Sequence, residues 1–435
     1  RLDRSFIDSS TTGFEKLEQY LLTVELDALI TQSGISEENV KQVADLLGGT
    51  PKTFIRIGIG MTRNSKAGMG IRAITSLAAA LGLFDVEEGR GVLLTTGAFK
   101  GDQEKLVWNS LAEKKPRTFN MVQLGNCLHT ASPPIKLLFV YNANPLSSTP
   151  DGSLVRKALA STDLYTVVHE QVMTPTARYA DLVLPATTFL ENKDIYTGYG
   201  HFYLSIVDTA IQPIAEAKSN FMFFQELAGK LGFTDPPFKQ SLQGRMTEYL
   251  ASIEGLPESF RPDNFEYGKA YLSTKAAKGE ALFHKDKKLY SFVESSELSL
   301  PMVPCLTAAN EFDNADYQAR YLFKLIAPPH LDLLNSTFGE RYEGQSGEVL
   351  IHPLDAEVYN VDHGNTVTLY NDRGWARRTA RVSEDTQQGL LVAEGIFWES
   401  NEHPSGINDL TSQNLTDMGG GGTFHESRVT LLQKA

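Results

Sequence analysis

Short apolar runs that alternate with helical stretches are the feature that most constrains how this chain can fold. Between residues 133 and 231 the runs LLFVY, YTVVHE and LVLPA are separated by stretches with helical periodicity. Strands that alternate with helices are typical of βαβ units, in which successive strands pair in parallel. The chain is therefore predicted to contain an α/β domain built on a doubly wound, mostly parallel sheet.

The first half of the chain extends this pattern. Strands are predicted at 54–60, 119–124, 136–141, 165–170 and 177–186, and helices at 14–30, 36–47, 71–81, 154–160 and within 215–231. Gly58 and Gly60 end the first strand, but Arg63 stands where the dinucleotide-binding glycine motif requires a third glycine. Residues 1–235 are predicted to form one α/β unit without that motif.

The last part of the chain has a different character. From residue 316 to 435, short strands such as GEVLIHP and NTVTLYND are separated by turn signals such as DHG and NDRG. Short strands at this spacing favour an all-β barrel. Residues 236–315 are polar and mixed, and are predicted to be an insertion or linker between the two domains.

Charge and cysteine content exclude several classes of function. The net charge is −13, which argues against nonspecific binding to nucleic acid, and no apolar run reaches the length of a membrane span. The two cysteines, Cys127 and Cys305, are too few for a disulfide framework or a complete iron–sulfur cluster within this chain. Because the chain begins at Arg1, we interpret it as truncated at its amino terminus, and expect a cytoplasmic protein with the periplasm as the alternative.

Polar residues follow the predicted strands at the edge where α/β sheets bind ligands. Asn144 follows one strand, His169 and Glu170 end the next, and Thr174 lies in the loop after it. A carboxylate here can accept two hydrogen bonds from a guanine edge or from ribose hydroxyls, and threonine hydroxyls suit phosphate oxygens. The alternative is that these side chains only cap their loops.

Polar loops of the predicted barrel provide a second set of candidates. His330, Asn335, Ser336 and Asn408 could face a purine or pterin, although a single histidine is more often structural. The sequence has no HExxH motif and no GxSxG motif. No metal ligand and no catalytic residue is assigned.

Several of these segments resemble the molybdopterin oxidoreductases of the dimethyl sulfoxide reductase superfamily. The matching segments are FVYNANP at 139–145, VVHEQVMTPTARYADLVLPATTFLE at 167–191, EAKSNFMFFQELAGKLG at 216–232, GIGMTRNSKAGMGIRAITSLAAALG at 58–82, LLNSTF at 333–338 and INDLT at 407–411. The resemblance covers nearly the whole chain apart from roughly 238–315. It implies a molybdenum or tungsten ion held by two molybdopterin guanine dinucleotides, and a double-psi fold for the barrel.

The resemblance also implies which residues contact this cofactor. Asn192 stands where relatives often have Lys, Asn220 where they often have Asp, and His425 where some have Lys. The full set of implied cofactor-binding residues is Gly60, Arg63, Asn144, His169, Glu170, Thr174, Asn192, Asn220, His330, Asn335, Ser336, Trp398, Asn408 and His425.

The same resemblance implies parts that this chain does not contain. A 4Fe–4S cluster and the residue that ligates the metal are expected in the missing amino-terminal part. The chain is thus predicted to be the cofactor-binding part of an enzyme that performs two-electron redox chemistry on a small substrate, with an electron-transfer partner protein, and to be inactive alone. The alternatives are a metal-free structural relative within a respiratory complex and an unrelated nucleotide-binding module.

Overall fold

The computed structural model describes residues 2–84, 90–94, 98–198, 200–274, 290–293 and 300–433. The helices are α1 (Arg4–Ser10), α2 (Phe14–Leu21), α3 (Leu26–Ser33), α4 (Glu37–Gly49), α5 (Ala67–Ala80), α6 (Glu104–Val107), α7 (Leu124–Thr130), α8 (Pro145–Ser148), α9 (Gly152–Leu159), α10 (Asn220–Lys230), α11 (Leu242–Ala251), α12 (Ala315–Arg320) and α13 (Pro353–Val358). Among the described residues, no helix is both long and apolar enough to cross a membrane.

The strands fall into an α/β part and a barrel. Those before the barrel are β1 (Thr11–Thr12), β2 (Phe54–Arg56), β3 (Gly91–Leu93), β4 (Leu137–Tyr141), β5 (Tyr165–Glu170), β6 (Leu182–Pro185), β7 (Asp194–Thr197), β8 (Tyr203–Val207), β9 (Lys269–Leu272) and β10 (Tyr290–Ser291). The barrel strands are β11 (Phe323–Ile326), β12 (Glu348–Ile351), β13 (Thr366–Tyr370), β14 (Trp375–Val382), β15 (Leu390–Val392) and β16 (Ser427–Gln433).

The parallel sheet β4–β5–β6 positions the candidate site. Tyr141 pairs with His169, and Glu170 pairs with Pro185, so the carboxyl ends of the strands lie at one edge. Helix α9 connects β4 to β5, and its Val155 packs in an apolar cluster. Helix α10 packs on Phe139 of β4 through two phenylalanines. The predicted α/β fold is confirmed, with its parallel strands divided among this sheet and the pairs β2–β3 and β1–β10.

A smaller antiparallel sheet, β7–β8–β9, follows the parallel one. Leu204 and Ile206 of β8 are fully buried against Met246 and Leu250 of α11. Strand β9 belongs to the region predicted as an insertion, yet it pairs with β8. Residues 275–289 and 294–299 of that region lie outside the described residues, and the division into three domains at 235/236 and 315/316 stays a prediction.

The carboxyl-terminal domain is a closed six-stranded barrel in the order β11–β15–β12–β14–β13–β16. The pairs β11–β15 and β12–β14 are parallel and the others are antiparallel. Alternate residues of each strand fill the interior, for example Val367 and Leu369 of β13, which are fully buried. The barrel predicted from the spacing of turns is therefore confirmed.

Two predicted elements are wrong. The strand predicted at 119–124 is a 3₁₀ turn that leads into α7, because the Asn120 side chain accepts a hydrogen bond from the Val122 N–H and starts a helix. The single helix predicted at 14–30 is two helices, since Thr23 donates its hydroxyl to the Tyr20 carbonyl at the end of α2.

Candidate functional site

Asn144 lies in the loop between β4 and α8 and is 5% exposed. Its Oδ1 accepts hydrogen bonds from the backbone N–H of Thr176 at 3.2 Å and from the Thr176 hydroxyl at 2.7 Å. These contacts fix the amide so that its Nδ2 points away from Thr176. That Nδ2 is buried and has no hydrogen-bond partner among the described residues, which leaves one strong donor for a ligand.

The neighbouring loop is held by its own threonines. Thr174 is 4% exposed, and its Oγ1 accepts a hydrogen bond from the Ala177 N–H at 3.2 Å. Thr176 donates to Asn144 and accepts from the Leu146 N–H at 3.0 Å. The loop after β5 is thereby tied to the loop after β4, and each constrains the other.

His169 and Asn220 form a polar chain at the same edge of the sheet. His169 Nδ1 lies 3.0 Å from Asn220 Oδ1, and Asn220 Nδ2 donates to Asn142 Oδ1 at 2.9 Å. The imidazole also stacks on Phe223 of α10, with ring centroids 4.8 Å apart. These contacts show His169 and Asn220 joining β4, β5 and α10 to one another.

An Asn220→Ala variant should test that joining role. The wild-type Asn220 side chain is the hydrogen-bond partner of both His169 and Asn142, so its truncation to alanine leaves the buried His169 Nδ1 without a hydrogen bond. We expect the free energy of unfolding to fall by about 1–3 kcal/mol. Urea titration of the purified protein measures this loss. An unchanged midpoint would show that the polar chain does not stabilise the sheet edge.

Glu170 points to the opposite side of β5 from His169, because successive side chains alternate along a strand. Burial raises the pKa of the Glu170 carboxyl, a hydrogen bond from the Gln171 N–H at 2.8 Å partly offsets this, and Glu340 raises the pKa further. Glu340 belongs to the turn Gly339–Tyr342 of the barrel domain. Glu170 thus faces the barrel across the domain junction, as a partly desolvated acceptor that favours a ligand with N–H groups.

The barrel contributes the loop between β11 and β12. Trp398 is 3% exposed, and its Nε1 donates to the Ser336 carbonyl at 2.7 Å. A Cβ on Gly339 would overlap the Trp398 indole, so only glycine permits this approach. Asn335 is exposed and has φ 53°, a left-handed conformation that asparagine tolerates.

His330 starts the same loop and packs in an aromatic group. Its ring lies edge-on to Tyr342 and Phe397, with centroids 6.0 Å and 5.6 Å away. Its Nδ1 accepts a hydrogen bond from the Asp332 N–H at 3.1 Å. His330 therefore shapes the loop through packing and one hydrogen bond.

A junction between the domains brings Asn408 of the barrel to the Asn144 loop. Asn408 Nδ2 donates to the Ser147 carbonyl at 2.7 Å, and the Ser147 hydroxyl donates to Glu399 at 2.5 Å. In the turn after β5, Arg178 forms an exposed ion pair with Glu343 of the barrel at 2.6 Å. The two buried contacts of Ser147 therefore connect the segment after Asn144 to the barrel.

Gly60, Arg63 and His425 form a second cluster. The His425 N–H donates to the Arg63 carbonyl at 2.9 Å, and a Cβ on Gly60 would lie 3.9 Å from the His425 ring. Burial lowers the pKa of His425, and the Arg63 charge lowers it further, which favours a neutral imidazole. His425 Nδ1 is buried without a partner among the described residues. A cavity of about 410 Å³ adjoins this cluster and is lined in part by Arg63 and Met418.

Asn192 is the predicted site residue whose side chain is most clearly engaged elsewhere. Its Oδ1 accepts from the Thr187 hydroxyl at 3.0 Å, and its Nδ2 donates to the Thr188 carbonyl at 2.9 Å. The amide closes the turn after β6. Its proposed contact with the cofactor stays a prediction.

Three residues of the junction were not singled out from the sequence, and Asp409 was noted only as part of the polar loop at 408–411. The three are Ser147, Arg156 and Glu399. The only signal was that Asp409 follows Asn408 within INDLT and Ser147 follows Asn144 within the NP loop. Among the residues that the structure describes, no three His, Cys, Asp or Glu side chains group as metal ligands.

Comparisons with known proteins connect these features to one family. The profile of the molybdopterin oxidoreductase family matches residues 17–230, and that of the molydopterin dinucleotide binding domain matches residues 323–428. A probable oxidoreductase, YoaE of Bacillus subtilis, is 32% identical over 99% of this chain and 64% of its own length. Dimethyl sulfoxide reductase DmsA of Escherichia coli is 23% identical over 98% of this chain and 61% of its own length.

A solved structure supports the fold. Acetylene hydratase from Pelobacter acetylenicus superposes with a TM-score of 0.80 at 17% identity, covering 100% of this chain and 68% of that one. The chain thus spans less than two thirds of the two curated relatives named above.

Proposed function

The chain belongs to the molybdopterin oxidoreductase family, and from that premise we propose that it holds a molybdopterin guanine dinucleotide at the junction of its α/β domain and its barrel. The protein that contains it would carry out two-electron redox chemistry on a small substrate, with molybdenum or tungsten as the metal. Electrons would be exchanged with a partner protein. A 4Fe–4S cluster is proposed for the part of such a protein that this chain lacks.

The observation that carries the proposal is an acceptor and a donor at the ligand-binding edge of the sheet. Glu170 is a partly buried carboxylate beside another acid, so it gains from N–H donors. Asn144 Nδ2 is a buried donor without a partner among the described residues. A guanine nucleotide has a partner for each group, because the N–H groups of its base can donate to Glu170 and its phosphate oxygens can accept from Asn144 Nδ2.

Different residues of the chain would contact different parts of the dinucleotide. Glu170 would accept hydrogen bonds from the guanine base, and Asn144 and Thr174 would donate to the nucleotide. Arg63 would provide positive charge near the second cluster, where His425 presents a neutral ring. When bound, the cofactor supplies the redox chemistry, and the protein orients it and excludes water from it.

Nucleotide analysis of the naturally expressed protein tests the proposal. Acid extraction and chromatography should release guanine nucleotide in at least a 1:1 ratio to protein, with molybdenum or tungsten detected by elemental analysis. Protein free of nucleotide and metal would favour the metal-free scaffold. Another nucleotide in place of guanine would favour an unrelated nucleotide-binding module.

A further inference from the structure

Four charged side chains meet at the junction between the α/β domain and the barrel. Arg156 comes from α9, Arg378 from β14, and Glu399 and Asp409 from the barrel loops. Arg378, Glu399 and Asp409 are 2%, 8% and 1% exposed. We refer to these four residues as the buried charge cluster. Charged side chains are rarely buried this deeply unless they pair with an opposite charge, because removing a charge from water costs free energy.

Arg156 binds Asp409 at two points. Its Nη1 lies 3.1 Å from Asp409 Oδ2, and its Nη2 donates to Oδ1 at 3.3 Å. The same Nη2 lies 3.9 Å from Glu399 Oε1. The Nη2–Oδ1 contact is a hydrogen bond, whereas Asp409 Oδ2 has no hydrogen-bond partner among the described residues and meets Nη1 only as an ion pair. This ion pair and its single hydrogen bond connect α9 to the barrel.

The Glu399 carboxylate interacts with three residues. It accepts the Ser147 hydroxyl at 2.5 Å, attracts Arg156, and is the carboxylate whose charge acts on Arg378. Arg378 Nη1 donates to the Arg377 carbonyl, but its Nε and Nη2 have no partner within the described ranges. Burial lowers the pKa of Arg378 to about 10, which leaves it charged at neutral pH. Burial raises the pKa of the Glu399 and Asp409 carboxyls, and the Arg156 charge partly offsets this rise, so removing Arg156 alone leaves the two carboxyls with less compensating charge.

The buried charge cluster acts on the Asn144 loop through a short path. Ser147 lies three residues after Asn144, and it binds Glu399 through its hydroxyl and Asn408 through its carbonyl. Gly152 lies so close to Asp409 that a Cβ there would overlap the carboxylate. The start of α9 and the whole of α8 are therefore fixed by the barrel, and Asn144 with them.

We infer that Arg156, Glu399 and Asp409 are positioning residues. They fix the Asn144 loop relative to the barrel, so that residues of both domains contact the nucleotide. This inference rests on the proposed function. None of the three needs to touch the nucleotide, since each acts through α8 and α9. Loss of Arg156 leaves the buried Asp409 carboxylate without its cation and removes one of the two cations that act on Glu399, so the ion pairs that connect α9 to the barrel are lost.

The test compares Arg156→Ala with a destabilised control in the naturally expressed protein. Val349→Ala removes volume from the barrel interior without removing any member of the buried charge cluster, and it serves as the control. Two quantities are measured: guanine nucleotide per folded chain after gel filtration, and hydrogen exchange of the backbone N–H groups of Ser148 and Thr149. Both groups are hydrogen-bonded in the structure.

Arg156→Ala should retain less than a tenth of the nucleotide and exchange these N–H groups at least tenfold faster than Val349→Ala at a similar Tm. Arg156→Lys, which keeps the charge, should recover at least half of the nucleotide, and it provides the folded variant if Arg156→Ala fails to fold. Equal retention and exchange in Arg156→Ala and Val349→Ala would overturn the inference. A nucleotide-free wild type with faster exchange in Arg156→Ala would reject the proposed function but retain the positioning role.

Discussion

A Glu170→Gln variant is expected to lose nine-tenths or more of its guanine nucleotide. The carboxylate is the charged acceptor at the end of β5, and a hydrogen bond to a charged group contributes about 1.5–3 kcal/mol. Such a loss corresponds to an affinity that is roughly 10- to 150-fold weaker. Nucleotide per folded chain, measured after gel filtration, reports this change.

The same variant should be more stable than the wild type once both are stripped of nucleotide. Burial and Glu340 raise the pKa of Glu170 above its ordinary value of 4.5, so the folded protein holds the proton more tightly than the unfolded chain. Ionisation therefore destabilises the fold as pH rises through the raised pKa, and the destabilisation disappears below about pH 4.5. The Tm difference between Glu170→Gln and wild type should be positive at pH 7 and shrink as the pH falls toward 4.5.

Glu384→Gln is the matched control, because Glu384 is exposed on a barrel turn. It should change neither nucleotide content nor the Tm of the stripped protein. If Glu170→Gln kept its nucleotide and matched Glu384→Gln in stability, Glu170 would have no part in binding the base.

An Asn144→Asp variant should also release the nucleotide while the protein stays folded. The substitution keeps an oxygen to accept from Thr176 but replaces the unpartnered Nδ2 donor with a second oxygen. An anionic oxygen there would repel phosphate, so we expect retention to fall at least tenfold. Equilibrium dialysis with a guanine nucleotide measures the affinity directly.

Asn144→Ala separates the two functions of this amide. It removes the acceptor as well, so the Thr176 N–H and hydroxyl lose their partner, and stability should fall by about 1–3 kcal/mol. Asn401→Asp, at an exposed position, controls for the added charge. Nucleotide binding by Asn144→Asp at the wild-type level would exclude the Nδ2 group from the site.

The barrel and the central sheet could be predicted from the sequence because their signals are local. Strands β4, β5 and β13 are short apolar runs that end at turn residues, and the structure places them where the runs lie. The run at 119–124 is also rich in apolar residues but forms a helix start, since one side-chain cap at Asn120 outweighs a weak strand preference. Such competition is decided by local geometry that composition does not reveal.

Residues of the candidate site also differ in whether the sequence alone could predict them. Asn144 and Glu170 were predicted as ligand contacts because ligand-binding residues follow strands at the carboxyl edge of a sheet, and the structure places both at that edge, while their contact with a nucleotide stays a prediction. Arg156 in α9 has the pattern of a solvent-exposed helical arginine, and Glu399 lies more than 240 residues further along the chain. Only the packing of α9 on the barrel brings the two together. For Asn192, the family resemblance implied a cofactor contact, which stays a prediction. In the structure its amide forms hydrogen bonds within its own turn.

A density map of the naturally expressed protein at near-atomic resolution tests the central claim most directly. The account predicts a guanine base whose N–H edge lies within hydrogen-bond distance of the Glu170 carboxylate, with Asn144 Nδ2 donating to the same nucleotide. A nucleotide bound elsewhere, with Glu170 and Asn144 contacting only water, would contradict it.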